Sequence, residues 1–180
     1  ESSAASDVYK RQLFDPGNQI KLLTEREDRL MVSLGRRLRK AKDEPVEEAA
    51  RIVDQAQDHL LAVGWAHVDR ILLEALLDAE SKLDSEQARD VMEQVRDVYF
   101  LDLIVKNASW YLEQNLLSGQ RTKAARAALN DLVDSLAPWS EVLVDAFGVP
   151  KEITDVELLQ PYEDMVPKAV SNPAAGQKGQ

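Results

Sequence analysis

Apolar residues recur at every third or fourth position along most of this chain, and this spacing predicts α-helices. From Gln19 to Phe147 only two prolines interrupt the pattern, and no stretch alternates apolar and polar residues with the period of a strand. We therefore expect an all-α fold over residues 19–147, arranged as a bundle of about four to six helices.

The first predicted helix follows a turn at residues 15–18 and ends in a cationic stretch. Residues 36–42 contain five Lys or Arg side chains, which the helix dipole favours near a C-terminus. The same run could contact a nucleotide phosphate. Because the helix dipole already accounts for its position, we favour a solvated helix end. The apolar side of this helix is formed by Ile20, Leu23, Leu30, Met31, Leu34 and Leu38.

The second predicted helix is unusually long. Pro45 follows Asp43 and Glu44 and is compatible with a first helical position. Beyond it, residues spaced by three and four predict a packing seam and a continuous helix from about residue 46 to 80. At 1.5 Å per residue that helix would be roughly 50 Å long, too long for a compact three-helix domain. The seam residues are Val46, Ala49, Val53, Ala56, Leu60, Val63 and His67.

The third predicted helix begins at Asp84 or Ser85 as its N-cap, with Gln87 placed to complete a capping box. Its residues 98–105 are apolar on nearly every side of the helix. We therefore expect this segment to be buried on several sides.

The last helices are bounded by small residues and prolines. Ser118 and Gly119 predict the start of a helix, and Pro138 should kink or restart it because proline removes a helical hydrogen bond. Gly148 followed by Pro150 predicts the C-terminal stop.

Both ends of the chain differ from the middle. Residues 1–12 show neither a helical nor a strand period; they resemble translated junction sequence, and the alternative is a natural disordered leader. Residues 171–180 are polar and of low complexity. We therefore divide the chain into an unstructured leader at 1–14, a helical domain at 15–152 and an irregular tail at 153–180. We expect residues 1–12 and 171–180 to pack on nothing.

Composition narrows the class of function. The 180 residues are 44% hydrophobic and 30% charged, which is typical of a globular protein. The net charge of −10 disfavours nucleic-acid binding, and the lack of cysteine excludes disulfides, thiolate metal sites and a cysteine nucleophile. The longest uncharged apolar runs are far shorter than a membrane span, and no signal-peptide pattern precedes the helices. These features favour a soluble intracellular protein.

Few residues suggest chemistry of their own. His59 and His67 are the only histidines, and no Glu-x-x-His pair accompanies them, so we expect structural hydrogen bonds rather than metal binding. Phosphate-binding glycine loops, a nucleophile elbow and zinc-type spacings are absent from the sequence. The charged run at residues 25–29 is either a buried ion network or an exposed helix face. We assign no catalytic, cofactor-binding or metal-binding residue to this chain.

Five blocks in series carry a family resemblance. They are Leu23–Leu30 (LTEREDRL), Gln57–Leu61 (QDHLL), Ala66–Glu74 (AHVDRILLE), Trp110–Glu113 (WYLE) and Leu143–Pro150 (LVDAFGVP). In this order and at these distances, they resemble the C-terminal helical domain of flavin-dependent acyl-CoA oxidases. The residues that correspond are Arg26, Glu27, Leu30, Gln57, Asp58, His59, Arg70, Leu73, Glu74, Trp110 to Glu113 and Leu143 to Pro150.

The resemblance implies the last domain of an FAD enzyme. Members of the family desaturate acyl-CoA to trans-2-enoyl-CoA and pass the electrons to oxygen, forming hydrogen peroxide in fatty acid β-oxidation. Their catalytic glutamate and most flavin and acyl-CoA contacts lie in earlier domains, so no catalytic residue is carried over. This domain would pack on those domains and help complete a homodimer. The implied compartment is the bacterial cytoplasm or the peroxisome, although the chain lacks a C-terminal Ser-Lys-Leu signal.

A different class of function remains as the alternative. The chain could be a freestanding helical scaffold that binds a partner protein through an exposed apolar groove.

Overall fold

The computed structural model describes residue 9 and residues 11–150, and every regular element in them is helical. The all-α prediction is confirmed. No helix in this described part is long and apolar enough to cross a membrane. In chain order the α-helices are α1 (Pro16–Arg39), α2 (Val46–Asp54), α3 (Gln57–Ser81), α4 (Glu86–Lys106), α5 (Ala108–Glu113), α6 (Gly119–Leu136) and α7 (Ser140–Asp145).

Helix α1 begins where the sequence predicted a turn. Asp15 is its N-cap, and the Asp15 carboxylate accepts a hydrogen bond of 2.9 Å from the backbone N–H of Asn18. Pro16 occupies the first helical position, where a missing N–H costs nothing. The turn prediction at residues 15–18 was therefore wrong, because an Asp N-cap followed by Pro has the same residue types as a turn. The predicted cationic end is confirmed at the last turn of α1.

The predicted helix over residues 46–80 is two helices. Helix α2 ends at Asp54 and α3 begins at Gln57, with the Ala56 N–H donating to the carbonyl of Val53 in a tight turn. Ala56 is buried at this break, at 2% exposure. The continuous helix was wrong because periodicity alone carries no signal for a tight turn that keeps the backbone hydrogen-bonded.

The predicted packing seam along this helix is also wrong, because several of its residues are exposed. Val46 is 85% exposed, and Val53 and Leu60 are more than half exposed, whereas Val63 is buried. The turn at residues 55–56 changes which side of each helix faces the core. Helix α3 consequently buries a different face from the one that the seam predicted.

Helix α4 has the predicted cap but no capping box. Ser85 is the N-cap, and its hydroxyl accepts from the N–H of Ala88 at 3.3 Å. Gln87 therefore stands at the second helical position, one residue short of the third position that a capping box requires. The burial predicted for residues 98–105 is confirmed, since Phe100, Leu101 and Ile104 are fully buried and no residue of the segment is exposed.

The helices enclose two apolar clusters. Helix α1 packs on α3, and α4 packs on both α3 and α6. The smaller cluster joins α1 to the break and to α3 through Leu30, Leu34, Ala56, Val63 and Ala66. The larger cluster comprises Leu13, Leu22, Leu23, Leu73, Phe100, Leu101, Ile104, Tyr111, Leu117, Ala125 and Ala128.

The remaining boundaries of the helices follow the sequence. Ser118 caps α6, accepting from the N–H of Arg121 at 3.3 Å. A 3-10 turn at Ala137–Trp139 interrupts the helix at Pro138, as predicted. The described residues from Pro138 to Pro150 belong to a separate compact unit, in which α7 is followed by Gly148 at a φ of 59°. That left-handed backbone angle is the predicted glycine stop.

The predicted leader is partly wrong. Leu13 is only 3% exposed, and the Arg121 guanidinium lies 5.0 Å from the Tyr9 ring and donates to the Gln12 side chain at 2.7 Å. The expectation that residues 1–12 pack on nothing therefore fails at Tyr9 and Gln12. Residues 1–8, residue 10 and the tail after residue 150 lie outside the described residues.

Candidate functional site

A buried carboxylate joins the first and third sequence blocks. Glu27 on α1 is 7% exposed, and its two oxygens point at α3. His67 donates to one oxygen through Nδ1 at 2.7 Å, and Arg70 donates to the other through Nε at 2.5 Å. Arg70 also donates to Glu74 at 2.7 Å, one turn further along α3. Four charged or titratable side chains thus hold α1 against α3.

The electrostatics keep Glu27 ionised. Its hydrogen bond to Arg70 lowers the Glu27 pKa; burial opposes this shift, and the His67 hydrogen bond reinforces it. The hydrogen bonds to Glu27 and Glu74 in turn raise the pKa of Arg70. A carboxylate with both oxygens engaged and a depressed pKa is poorly suited to accept a proton from a substrate. The cluster therefore has the properties of a structural ion network.

Both histidines reach from α3 to α1. The His59 Nε2 lies 3.2 Å from the Leu30 carbonyl, which can only accept, so this nitrogen carries the hydrogen. These are the interhelical hydrogen bonds predicted for His59 and His67. The predicted burial of His67 in a seam is wrong, because its side chain is 49% exposed. Within the described residues, no group of three or more His, Cys, Asp or Glu could hold a metal ion.

Arg26 joins the first block to the fourth. Its guanidinium donates to the Asn107 side chain at 2.7 Å and lies 5.5 Å from the centre of the Trp110 ring. Trp110 in turn contacts the Tyr111 ring edge to face, with 5.1 Å between ring centres. Burial raises the pKa of the Tyr111 hydroxyl. The structure thus brings the first four blocks together around α1.

The charged run at residues 25–29 is partly a buried ion network and partly an exposed helix face, so each of the two predicted alternatives holds for some of its residues. Glu27 belongs to the buried network, while Arg29 and Glu25 form an exposed pair at 2.9 Å on the outer side of α1. Helical periodicity explains the division, because residue 27 lies on the side of the helix opposite to residues 25 and 29.

A second buried network was not predicted from the sequence. Arg96 is 1% exposed and pairs with Asp97 at 3.0 Å and with Glu80 of α3. Asp97 also accepts from Gln19 of α1 at 2.7 Å. Burial raises the Asp97 pKa, against the opposing effects of Gln19 and Arg96. The available signal was an Arg-Asp pair between Val95 and Val98 on an otherwise apolar stretch.

The most exposed apolar region of α3 lies on the side away from α1. The large side chains there are between 42% and 65% exposed. We call this surface the outer face of α3, and it consists of Leu60, Leu61, Trp65, Val68, Ile71 and Leu72. Beside it, a groove of about 490 Å³ runs between α3 and α4, with Leu61 and Trp65 on one wall and Leu103 and Lys106 on the other.

A second groove adjoins the cationic end of α1. It has a volume of about 460 Å³, and Arg36, Asp28 and Trp110 are among its lining residues. Arg29 also lines it but is already paired with Glu25, and the Asp28 carboxylate would repel a phosphate. This groove is therefore poorly suited to the diphosphate of FAD, and the solvated helix end at residues 36–42 stays a prediction.

The sequence was compared with families of known proteins. The acyl-CoA oxidase family matches this sequence over residues 15–155, which is most of the chain. The chain belongs to the acyl-CoA oxidase family. The match begins at the N-cap of α1 and includes all five sequence blocks.

Curated proteins from two organisms, named acyl-CoA oxidase or acyl-CoA oxidase-like, are similar to parts of this chain. The peroxisomal acyl-coenzyme A oxidase 3 of Arabidopsis thaliana is 33% identical over 94 residues, which cover 51% of this chain and 14% of that protein. The acyl-coenzyme A oxidase-like protein of Mus musculus is 24% identical over 92 residues, 51% of this chain and 15% of its own length.

A further Arabidopsis thaliana sequence named for acyl-coenzyme A oxidase is 33% identical over 94 residues and is matched over 50% of its length. The chain thus spans half or less of each of these curated relatives. No solved structure matches the chain significantly.

Proposed function

We propose that this chain is the C-terminal helical domain of an acyl-CoA oxidase. That enzyme would desaturate acyl-CoA to trans-2-enoyl-CoA with FAD and oxygen and release hydrogen peroxide, in fatty acid β-oxidation. Membership of the family supports this proposal, and the observation that carries it is the meeting of four family blocks around α1. Residues of these blocks hold helices together in this chain.

The domain would contribute contacts rather than chemistry. Its buried carboxylates already have partners: Arg70 and His67 bind both oxygens of Glu27, and Arg96 and Gln19 bind Asp97. FAD and the catalytic base would belong to preceding domains, and the acyl-CoA would bind there too. The exposed apolar outer face of α3 supports a role in packing on those domains and in completing a homodimer.

The compartment that we propose is the one implied by the resemblance to acyl-CoA oxidases. We propose the cytoplasm if the source is bacterial and the peroxisome if it is eukaryotic.

A freestanding scaffold is the competing function, and the same exposed face favours it. The two are separated by the DNA upstream of the codon for Glu1. An open frame that encodes flavin-binding acyl-CoA oxidase domains supports the enzyme domain. An in-frame stop codon followed by an initiation site next to Glu1 would contradict it and support the scaffold.

A further inference from the structure

Most apolar residues of the fifth sequence block lie at the surface. Val144, Phe147 and Val149 are 67%, 81% and 53% exposed, and Val142, just before the block, is 59% exposed. Together these four side chains expose roughly 400 Å², which is comparable to the largest apolar patch on a typical monomer. We call this surface the α7 patch.

The chain turns immediately after the α7 patch begins to end. Gly148 has a left-handed φ of 59°, and its N–H donates to the carbonyl of Asp145 at 2.9 Å, which closes the helix. Pro150 has no N–H and cannot continue the hydrogen bonds of α7. Two antiparallel helices are commonly joined by a loop of about two to five residues, and residues 148–152 have that length. A segment that follows this turn can therefore run back along α7.

The sequence after the turn supplies apolar residues for the patch. Ile153, Val156 and Leu159 recur at every third position, a spacing that keeps them within roughly one third of the circumference of a helix. Pro161 then limits the pattern, because proline disfavours helical backbone at the residue before it. The pattern thus defines an apolar segment at residues 153–159, directly after the turn.

We propose that residues 153–159 fold back on α7 as an antiparallel strap that covers the α7 patch. Each step forward along the strap is then a step back along α7. Ile153 consequently lies beside Phe147, and Val156 lies beside Val144. The fifth block thereby anchors the part of the chain that follows it.

Tethering favours this occupant of the α7 patch over a separate molecule. Ile153 is close to Phe147 along the chain, and a short link gives an effective concentration on the order of millimolar. Charge is compatible as well, because Asp155 and Glu157 fall outside the apolar third of the segment. The strap therefore covers the patch without burying a charge. It does not depend on acyl-CoA chemistry, so its failure would leave the proposed function in place.

Introduced cysteines test the strap in the 180-residue chain. Because the natural sequence has no cysteine, two introduced thiols form the only possible intramolecular disulfide. Val144→Cys/Val156→Cys places them at facing positions, whereas Val144→Cys/Glu157→Cys moves one thiol to another side of the segment at nearly the same spacing. In dilute protein with a glutathione redox buffer, we expect an effective thiol concentration at least tenfold higher for the facing pair. Equal values for the two pairs would overturn the strap.

Amide hydrogen exchange of the same chain gives a second test. We expect exchange at residues 153–159 to be at least tenfold slower than in an unstructured peptide. Phe147→Ser removes the largest apolar side chain of the patch and should restore fast exchange. Val133→Ser, at another exposed valine on α6, is the control and should leave the protection unchanged. Fast exchange in the natural chain, or protection that survives Phe147→Ser, would overturn the strap. Protection that is lost on dilution would also overturn it, by assigning the contact to a second copy.

Discussion

The carboxylate of Glu27 lies 2.5 Å from the Nε of Arg70 and ties α1 to α3 at a point where both side chains are largely buried. The two residues are 43 positions apart in the sequence and come from different family blocks. Their pairing fixes the packing of two helices.

Removing Arg70 should therefore destabilise the domain. Arg70→Met keeps the aliphatic stem but leaves Glu27 with only His67, at an expected cost of about 2–3 kcal/mol in the free energy of unfolding. Urea denaturation followed by circular dichroism measures the change. The matched control is Arg51→Met, because Arg51 pairs with Glu48 at the surface and should have no measurable effect. Equal losses in the two variants would contradict the role of the buried pair.

The same network predicts a pH dependence. Arg70 and His67 hold the Glu27 pKa below its ordinary 4.5, so the unfolded chain binds this proton more readily than the folded one. The stability that Glu27 contributes is complete above pH 4.5 and is lost as the pH falls through the lower folded value. The difference in unfolding free energy between the natural chain and Glu27→Gln should shrink in that acidic range. A difference that grows as the pH falls would contradict a Glu27 pKa that is lower in the folded chain than in the unfolded chain.

Arg26 should not be replaceable by lysine. Lysine cannot at once donate to Asn107 and present a planar cation to the Trp110 ring, as the guanidinium does. We expect Arg26→Lys to lower the unfolding free energy by about 1 kcal/mol and to alter the near-ultraviolet circular dichroism of Trp110. Lys21→Arg, at an exposed position on the same helix, serves as the control. An unchanged spectrum and an unchanged unfolding free energy for Arg26→Lys would contradict a stabilising interaction between Arg26 and the Trp110 ring.

The Arg96–Asp97 pair should show strong coupling. Arg96→Met leaves the Asp97 charge buried with Gln19 as its remaining partner, so we expect a loss of about 3–5 kcal/mol. The double variant Arg96→Met/Asp97→Leu should be more stable than the single variant, because it removes the buried Asp97 charge that the single variant leaves without its cation. A double-mutant cycle in urea measures this coupling. Additive losses would mean that the pair acts as two independent packing residues.

Asn115 should respond to glycine and alanine in opposite ways. It follows Gln114, the C-cap of α5, and has a φ of 56°, in the left-handed region that glycine adopts without strain. Asn115→Gly should therefore be neutral or stabilising, and Asn115→Ala should cost about 1 kcal/mol. The thermal unfolding midpoints of the two variants, compared with that of the natural chain, test this prediction. The opposite order would indicate that the asparagine side chain contributes more than its backbone geometry.

Short sequence patterns predicted most of the helices correctly. They failed where contacts between residues far apart in the sequence determine the structure. Ser85, Ser118, Pro138 and Gly148 act within one turn of their own position, so the sequence predicted their effects correctly. The break at Ala56 was missed because it is stabilised by burial between α1 and α3, which no short window of sequence contains.

The site was harder to predict from sequence for the same reason. The motif residues Arg26, Glu27 and Arg70 were identified, but their partners lie 81, 40 and 43 positions away. Only the folded chain distinguishes the buried Glu27 from its exposed neighbour Glu25. The outer face of α3 was not predicted residue by residue either, because the sequence pattern does not distinguish an apolar residue that stays exposed from one that is buried in the core.

Acyl-CoA-dependent formation of hydrogen peroxide tests the proposed function most directly. It should be measured in parallel on the purified 180-residue chain and on the polypeptide encoded by the complete reading frame of its gene. We expect flavin absorbance and peroxide formation from the complete polypeptide, and neither from the 180-residue chain. Stoichiometric flavin and peroxide formation in the 180-residue chain, or their absence from the complete polypeptide, would contradict the assignment as the packing domain of an acyl-CoA oxidase.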